Sequence, residues 1–216
     1  MTAARLASIV TLALLGALAP GCALLSKSEP NVPRYFSAES DATDVVDASD
    51  GSRGLELRLG RVNADARVES RIERRTSAYE VVYYQGRLWT EKPEAYVRRA
   101  LVRAIFDARG VRRVLSGAAT VLDVQVVAFE EVVRPTHVGR VTLAYSLADD
   151  RVVLLSHSVT IERAIAQATG DAAADAIVEA LAASMKEAVE TVAVATVEEL
   201  RAEKAARAEA SSPPAE

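Results

Sequence analysis

Three extended segments in a row constrain the fold of this chain more than any other feature. The residue pattern predicts strands over 121–133, 140–147 and 152–161, each of them rich in β-branched and apolar residues. The loops between them, 134–137 and 148–150, are short enough to join antiparallel neighbours. The sequence therefore predicts a three-stranded antiparallel unit in the second half of the chain.

Other strands are predicted before this unit. Leu55, Leu57 and Leu59 alternate with charged residues, which is the period of a half-buried strand. Shorter extended segments are expected over 34–37, 72–76 and 79–84. The first half of the chain is thus expected to add several strands to the sheet.

Two helices are predicted. The first starts at Pro93 and runs to about Arg109, where Gly110 is a typical stop signal, and its apolar stripe holds Val97, Leu101, Ile105 and Phe106. The second starts at Asp171, a favourable N-cap, with a stripe made by Ile177, Leu181, Met185, Val189 and Val192. Beyond Leu200 the stripe is lost, so we predict a charged, disordered tail over 201–216, with the last dozen residues disordered.

This order of elements favours an α+β fold, a two-layer sandwich in which two helices cover one face of a mainly antiparallel sheet. A single domain over 34–200 accounts for all of the predicted elements. Before it, residues 1–21 are assigned to a signal peptide and residues 22–33 to a tether.

The first residues of the chain indicate export. Arg5 precedes an apolar run over 6–18, which is too short to span a bilayer, where about 20 residues are needed. Small residues and Cys22 follow in the order Ala19-Pro20-Gly21-Cys22. This resembles the lipobox of bacterial lipoproteins, although Ala19 stands at the position where the motif favours leucine.

Cys22 is the only cysteine of the chain, and the lipobox resemblance implies that it is acylated and becomes the mature amino terminus. Two or more acyl chains give stable membrane anchoring. Because Ala23 is not the aspartate of inner-membrane retention, we expect the protein at the periplasmic face of the outer membrane. The alternative is an ordinary cleaved signal peptide with an incidental cysteine.

Composition and motifs point away from several functions. A net charge of −4 and a pI near 5.4 provide no general attraction for nucleic acid. The sequence has no phosphate-binding glycine loop and no serine-hydrolase motif, and His137 and His157 are its only histidines. We therefore predict no enzyme activity, no catalytic residue, no metal site and no cofactor.

Two sequence features suggest binding surfaces. Residues 53–75 hold seven arginines against four acidic residues, which suits anionic headgroups or an acidic partner, but also a solvated surface. An aromatic cluster comprises Tyr79, Tyr83, Tyr84 and Trp89. We predict partner binding by Tyr83, Tyr84 and Trp89, with a contact between sheet and helix as the equal alternative.

The order of these segments resembles the ABC-type transport auxiliary lipoproteins, the PqiC-like family. The resemblance rests on Cys22, Tyr35-Phe36, LELRLGRV (55–62), the segment 69–106 with Arg87-Leu88-Trp89 before Pro93, LDVQVVAFE (122–130) and the alanine-rich last helix. It implies a fold like the amino-terminal domain of TolB. It also implies a non-enzymatic role in intermembrane lipid transport, with an MCE-domain protein and an ABC permease and its ATPase as partners.

Some relatives form rings, so homo-oligomerisation is left open. A second hypothesis is a lipoprotein chaperone or pilot subunit for assembly of an outer-membrane complex. A third is an anchored enzyme that depends on His157.

Overall fold

A computed structural model of the protein describes residues 32–39, Ser52 and residues 54–210. The predicted signal peptide, Cys22 and most of the predicted tether lie outside the described residues. The strands are β1 (Arg34–Phe36), β2 (Glu56–Ala64), β3 (Arg71–Arg75), β4 (Val81–Trp89), β5 (Arg112–Arg113), β6 (Val121–Val132), β7 (Val138–Ala148) and β8 (Val153–Ala164). The helices are α1 (Pro93–Val102), which a π-helical turn (Arg103–Asp107) continues, and α2 (Asp171–Ala210).

All eight strands belong to one mixed sheet. On one side β6 pairs with β7, and β7 pairs with β8, both antiparallel, which confirms the predicted three-stranded unit. On its other side β6 pairs in parallel with β2 along its first half and with β3 at its end. Strand β4 then pairs with β3, β1 pairs with β4, and the short β5 pairs with β2.

Both helices cover the same face of this sheet. Helix α1 packs on β2 and β6, helix α2 packs on β6, β7 and β8, and the two helices contact each other. The predicted two-layer α+β architecture is therefore confirmed. The opposite face is uncovered and carries small polar side chains such as Thr142, Ser146, Ser158 and Thr160.

The core lies between the sheet and the helices. Alternate residues of β7 point into it, and every residue of the predicted α2 stripe is buried: Ile177, Leu181, Met185, Val189 and Val192. Burial of a large aliphatic side chain such as Leu143 stabilises the fold by about 1.5–3 kcal/mol. In α1 the buried residues include Val97 and Leu101, and Ile105 follows in the π-helical turn, as their spacing predicts.

Gly110 ends the first helical segment as predicted, with a backbone φ of 66° that suits glycine. The second helix differs from the prediction at its end. It continues to Ala210, so residues 201–210 are helical and not a disordered tail, whereas residues 211–216 lie outside the described part. In the described part of the chain, neither helix combines the length and apolar character needed to cross a membrane.

Gly139 is where α2 comes closest to the sheet. The Ser184 hydroxyl donates a hydrogen bond of 2.8 Å to the Gly139 carbonyl oxygen. A Cβ atom at Gly139 would lie 3.0 Å from the backbone carbon of Ala180 and 3.0 Å from the backbone nitrogen of Leu181. Backbone atoms in a packed helix cannot move aside, so only glycine permits this distance between the layers.

We predict that Gly139→Ala destabilises the protein by about 1–3 kcal/mol, because the added methyl group overpacks the contact with α2. Urea denaturation measures the change in the free energy of unfolding. Ala144→Val on the same strand is the control, since Ala144 points to the uncovered face, and we expect a change within about 0.5 kcal/mol. Equal effects of the two substitutions would contradict the close approach of α2.

Candidate functional site

The charged centre of the molecule lies at one end of the sheet. There β3, β6, β7 and β8 share a row of register partners, Arg75, Val132, Val138 and Ala164, and this row defines what we call the upper end. One residue below this row Arg74 pairs with Glu131, and two residues below it Glu73 pairs with Glu130. Because successive residues of a strand point to opposite faces, the two pairs form separate clusters, one on each face.

The cluster on the uncovered face holds two buried carboxylates and three arginines. Arg75 donates hydrogen bonds from Nε to both oxygens of Glu130, at 3.1 and 3.0 Å. Arg140 Nη1 lies 3.5 Å from Glu130 Oε1. Arg67 Nη1 lies 3.5 Å from Glu73 Oε1 and 3.8 Å from Glu130 Oε2. Both glutamates are only 1% exposed, so the arginines form their cover toward solvent.

Glu73 is the unusual member of this cluster. Burial, and next the negative charge of Glu130, raise its pKa to about 7. Neither of its carboxylate oxygens has a hydrogen-bond donor within the described residues. A hydrogen bond with Glu130 forms only if one carboxyl group carries a proton. Near neutral pH the cluster therefore carries more positive charge than its formal composition suggests.

The second cluster lies on the helix-covered face around Glu131. Its carboxylate accepts a hydrogen bond of 2.7 Å from the Tyr84 hydroxyl and lies 2.6 Å from His137 Nε2. Arg74 Nε lies 3.5 Å from the same carboxylate. Burial and the bond to Glu131 raise the pKa of Tyr84 to about 12, so this phenol stays protonated as a donor.

The structure separates Trp89 from the other two residues of the predicted aromatic surface. Trp89 is 2% exposed and packs edge-on against Tyr96 and Phe129, with ring centroids 6.3 and 5.3 Å away. It belongs to the core between sheet and helix, which removes it from the predicted partner surface. Tyr83 and Tyr84 are half-buried.

Both tyrosines are held by arginines. The guanidinium of Arg71 lies 4.6 Å from the centre of the Tyr83 ring, and that of Arg87 lies 4.5 Å from the centre of the Tyr84 ring. The Tyr83 hydroxyl also donates to the Arg67 carbonyl oxygen at 3.0 Å. Partner binding by Tyr83 and Tyr84 stays a prediction.

A groove opens on the uncovered face at the upper end. We call it the arginine groove; its volume is about 720 Å³, and it is lined by Arg75, Ser77, Ala78, Val132, Arg134, Pro135 and Arg140. Arg134 is exposed in the loop between β6 and β7 and forms no hydrogen bond or ion pair with any residue that the structure describes. The groove thus combines a cationic side with an apolar wall.

Many other arginines of the predicted basic segment serve the fold. Arg58 lies 3.5 Å from the Gly117 carbonyl oxygen, and Arg67, Arg74 and Arg75 bind the buried carboxylates. On α1, Arg99 forms ion pairs with Glu39 and Glu91. These contacts favour the structural interpretation for most of the segment.

Sequence reasoning missed the acidic centre of the site. Glu130 and Glu131 lie side by side in an otherwise apolar strand, and that interruption of the run Val126 to Val133 was the available signal. His157, the histidine of the enzyme hypothesis, is exposed on β8 with its ring 6.4 Å from that of Tyr145. Among the described residues no group of three or more histidine, cysteine or acidic side chains is arranged to hold a metal ion.

Comparison with known proteins finds similarity in structure alone. No protein-family model and no curated protein matches the sequence. A crystal structure of a Xanthomonas campestris protein of family DUF330 superposes with a TM-score of 0.66 and 15% identity, over 79% of this chain and 99% of that one. An uncharacterized protein superposes with a TM-score of 0.60 and 15% identity, over 76% and 99%.

A third structure, of a Caulobacter crescentus CB15 protein described as a "putative lipoprotein", has a TM-score of 0.41 and 19% identity, over 59% of this chain and 90% of that one. Its similarity is too weak to support a conclusion. The Xanthomonas match shows that the chain shares the fold of that DUF330 structure.

The raised pKa of Glu73 makes stability depend on pH. Between its unfolded value of 4.5 and the folded value of about 7, the folded state binds more protons than the unfolded state, so the contribution of Glu73 to stability falls as pH rises. Glu73→Gln removes this titration. We therefore predict that the free energy of unfolding of the variant, relative to that of the unmodified protein, rises as the pH is raised from 5 to 8. Urea denaturation across this range measures the difference. Glu69→Gln is the exposed control, and a difference for Glu73→Gln that stays constant with pH would contradict the prediction.

Proposed function

We propose that the protein is a lipoprotein anchored to the periplasmic face of the outer membrane through Cys22, and that it acts there as a non-enzymatic docking subunit of an MCE-type ABC lipid transport system. Its partners are the MCE-domain protein and the permease with its ATPase. Its work is to hold a folded domain beside the bilayer and to present binding surfaces.

The position of Cys22 is the observation that carries this proposal. It is the only thiol of the chain, and it follows an apolar run and three small or turn-forming residues at the place where lipidation requires a cysteine. Acylation would tie the mature chain to a membrane without a transmembrane helix. The twelve residues of the tether, 22–33, span at most about 40 Å when extended, so the domain would stay close to the bilayer.

The fold is compatible with this role. DUF330, the family given for the Xanthomonas structure, is the PqiC-like family that the sequence resembles. At 15% identity the similarity supports the fold alone, so the transport role depends on the resemblance of the sequence segments.

Strand β8 provides a surface for a protein partner. Within the described residues it pairs only with β7, so the backbone groups of its other side are unpaired. Ten residues of this edge, 152–161, contain no charge, proline or glycine. Natural edge strands usually carry such residues to prevent pairing, so an edge without them suits addition of a partner strand.

The charged clusters support binding over catalysis. Glu130 and Glu131 are each held by several donors, and Glu73 lies under arginine side chains. A general acid or base must be free to reach a substrate proton, and these carboxyl groups are buried in ion-paired clusters.

The first prediction concerns the anchor. Cys22→Ala prevents acylation, so we expect the protein to leave the outer-membrane fraction, and mass spectrometry should find no diacylglyceryl group at residue 22. The control is Ser26→Ala, four residues further on. This variant should stay in the outer-membrane fraction and keep its diacylglyceryl group, like the native protein. An unmodified amino terminus in the native protein, or its free release into the periplasm, would contradict the proposal.

The second prediction concerns the partner. Immunoprecipitation of the tagged protein from crosslinked envelopes should recover an MCE-domain or permease subunit. Ser158→Lys introduces a charge on the β8 edge and should reduce that recovery, whereas Gln125→Lys, exposed on central strand β6, should not. If neither subunit is recovered and deletion impairs porin, secretin or lipopolysaccharide assembly with lipid asymmetry intact, the chaperone or pilot hypothesis replaces this one.

A further inference from the structure

We propose that the arginine groove binds the phosphate of an anionic phospholipid headgroup, with the Arg134 guanidinium as its principal contact. This inference rests on the proposed position beside a bilayer, which supplies the ligand. It assigns the upper end of the sheet to lipid, separate from the β8 edge assigned to a protein partner.

The first argument is the charge available at the groove. Arg75 and Arg140 face Glu130, while Arg134 has no acidic partner in the described part of the chain. The guanidinium of Arg134 is therefore free to form bidentate hydrogen bonds with a phosphate, which its planar donor geometry fits well.

The carboxyl groups beneath the groove cancel the charge of its other arginines only in part. Three arginines, Arg67, Arg75 and Arg140, surround Glu73 and Glu130. Glu73 is partly protonated near neutral pH because burial raises its pKa to about 7. Arg140 also forms an ion pair of 2.7 Å with Glu162, so these three arginines face three carboxyl groups. The net positive charge of the groove therefore comes from Arg134, together with the partial protonation of Glu73.

The second argument is the mixed lining of the groove. Ala78, Val132 and Pro135 form its apolar part, and its volume of about 720 Å³ lies within the range of small-molecule sites. A free phosphate would make no use of an apolar wall. The glycerol backbone and the first acyl carbons of a phospholipid would contact it while the phosphate binds the arginines.

The third argument is the position of the groove. Tyr79, beside the lining residue Ala78, is completely exposed at the tip of the β3–β4 hairpin. Tyrosine is favoured at the boundary between water and lipid because its ring is apolar and its hydroxyl polar.

Isothermal titration calorimetry on the full lipidated protein in a neutral detergent tests the proposal. The probes are dihexanoyl phosphatidylglycerol, dihexanoyl phosphatidylcholine, inorganic phosphate and hexaglutamate. We expect phosphatidylglycerol to bind most tightly and its affinity to fall as salt is raised. Arg134→Gln should weaken this binding about tenfold, the effect of losing one charge-assisted interaction, with Arg134→Lys in between.

Arg151→Gln is the matched control. Arg151 is also an exposed hairpin arginine, but it lies in the β7–β8 turn at the opposite end of the sheet, and its loss should leave the affinity unchanged. Circular dichroism of each variant should show an unchanged fold, because Arg134 has no partner in the described residues.

Four outcomes would overturn the proposal. Inorganic phosphate binding as tightly as phosphatidylglycerol would make the groove a free-phosphate site. Tighter binding of hexaglutamate would assign it to an acidic protein segment. If Arg134→Gln does not change the affinity for phosphatidylglycerol, or if phosphatidylglycerol does not bind, the groove is excluded as its binding site. None of these results depends on the identity of the transport partner, and mass spectrometry tests acylation of Cys22 separately.

Discussion

Strand β6 is the constraint on which the rest of the structure depends, because it pairs with β7 on one side and with both β2 and β3 on the other. Its register is fixed by Leu122, Val124 and Val126, which must all face the helices, and a slip of one residue would expose them. A register shift between Val126 and Ala128 then changes the alternation. Because of that irregularity the side chain of Phe129 points to the helix-covered face, where its ring packs against Trp89.

The same irregularity explains the charged clusters. After it, Glu130 falls on the uncovered face and Glu131 on the helix-covered face, and both are buried. An unpaired buried carboxylate costs several kcal/mol, so each needs donors from neighbouring strands. Strand β3 supplies Arg75 to the first and Arg74 to the second. Arg74 and Arg75 therefore serve the fold, whereas Arg134 has no acidic partner in the described part of the chain and is left for the binding role proposed at the upper end.

Much of the fold could be predicted from the sequence, because it depends on periodic patterns. The α2 stripe and the β7 alternation report directly which side chains are buried. For Trp89 the sequence left a partner surface and a contact between sheet and helix as equal alternatives, and only the structure decides for the second. The burial of the acidic pair could not be predicted, since it depends on an irregularity in pairing between distant segments. The predicted end of α2 was wrong for a different reason. Loss of an apolar stripe ends burial but not a helix, and residues 201–210 are strong helix formers with an ion pair between Glu203 and Arg207.

The two proposed binding surfaces can work together because the sheet places them apart. The arginine groove lies at the upper end of the sheet, whereas the unpaired backbone of β8 runs along one side, down to the turn at Arg151. A phospholipid in the groove would therefore leave this edge accessible to a protein. The close contact at Gly139 joins β7, which lies between the two surfaces, to helix α2 over a buried core. Such a packed layer moves as one body, so a partner strand on β8 would hold the groove at a fixed distance from that partner.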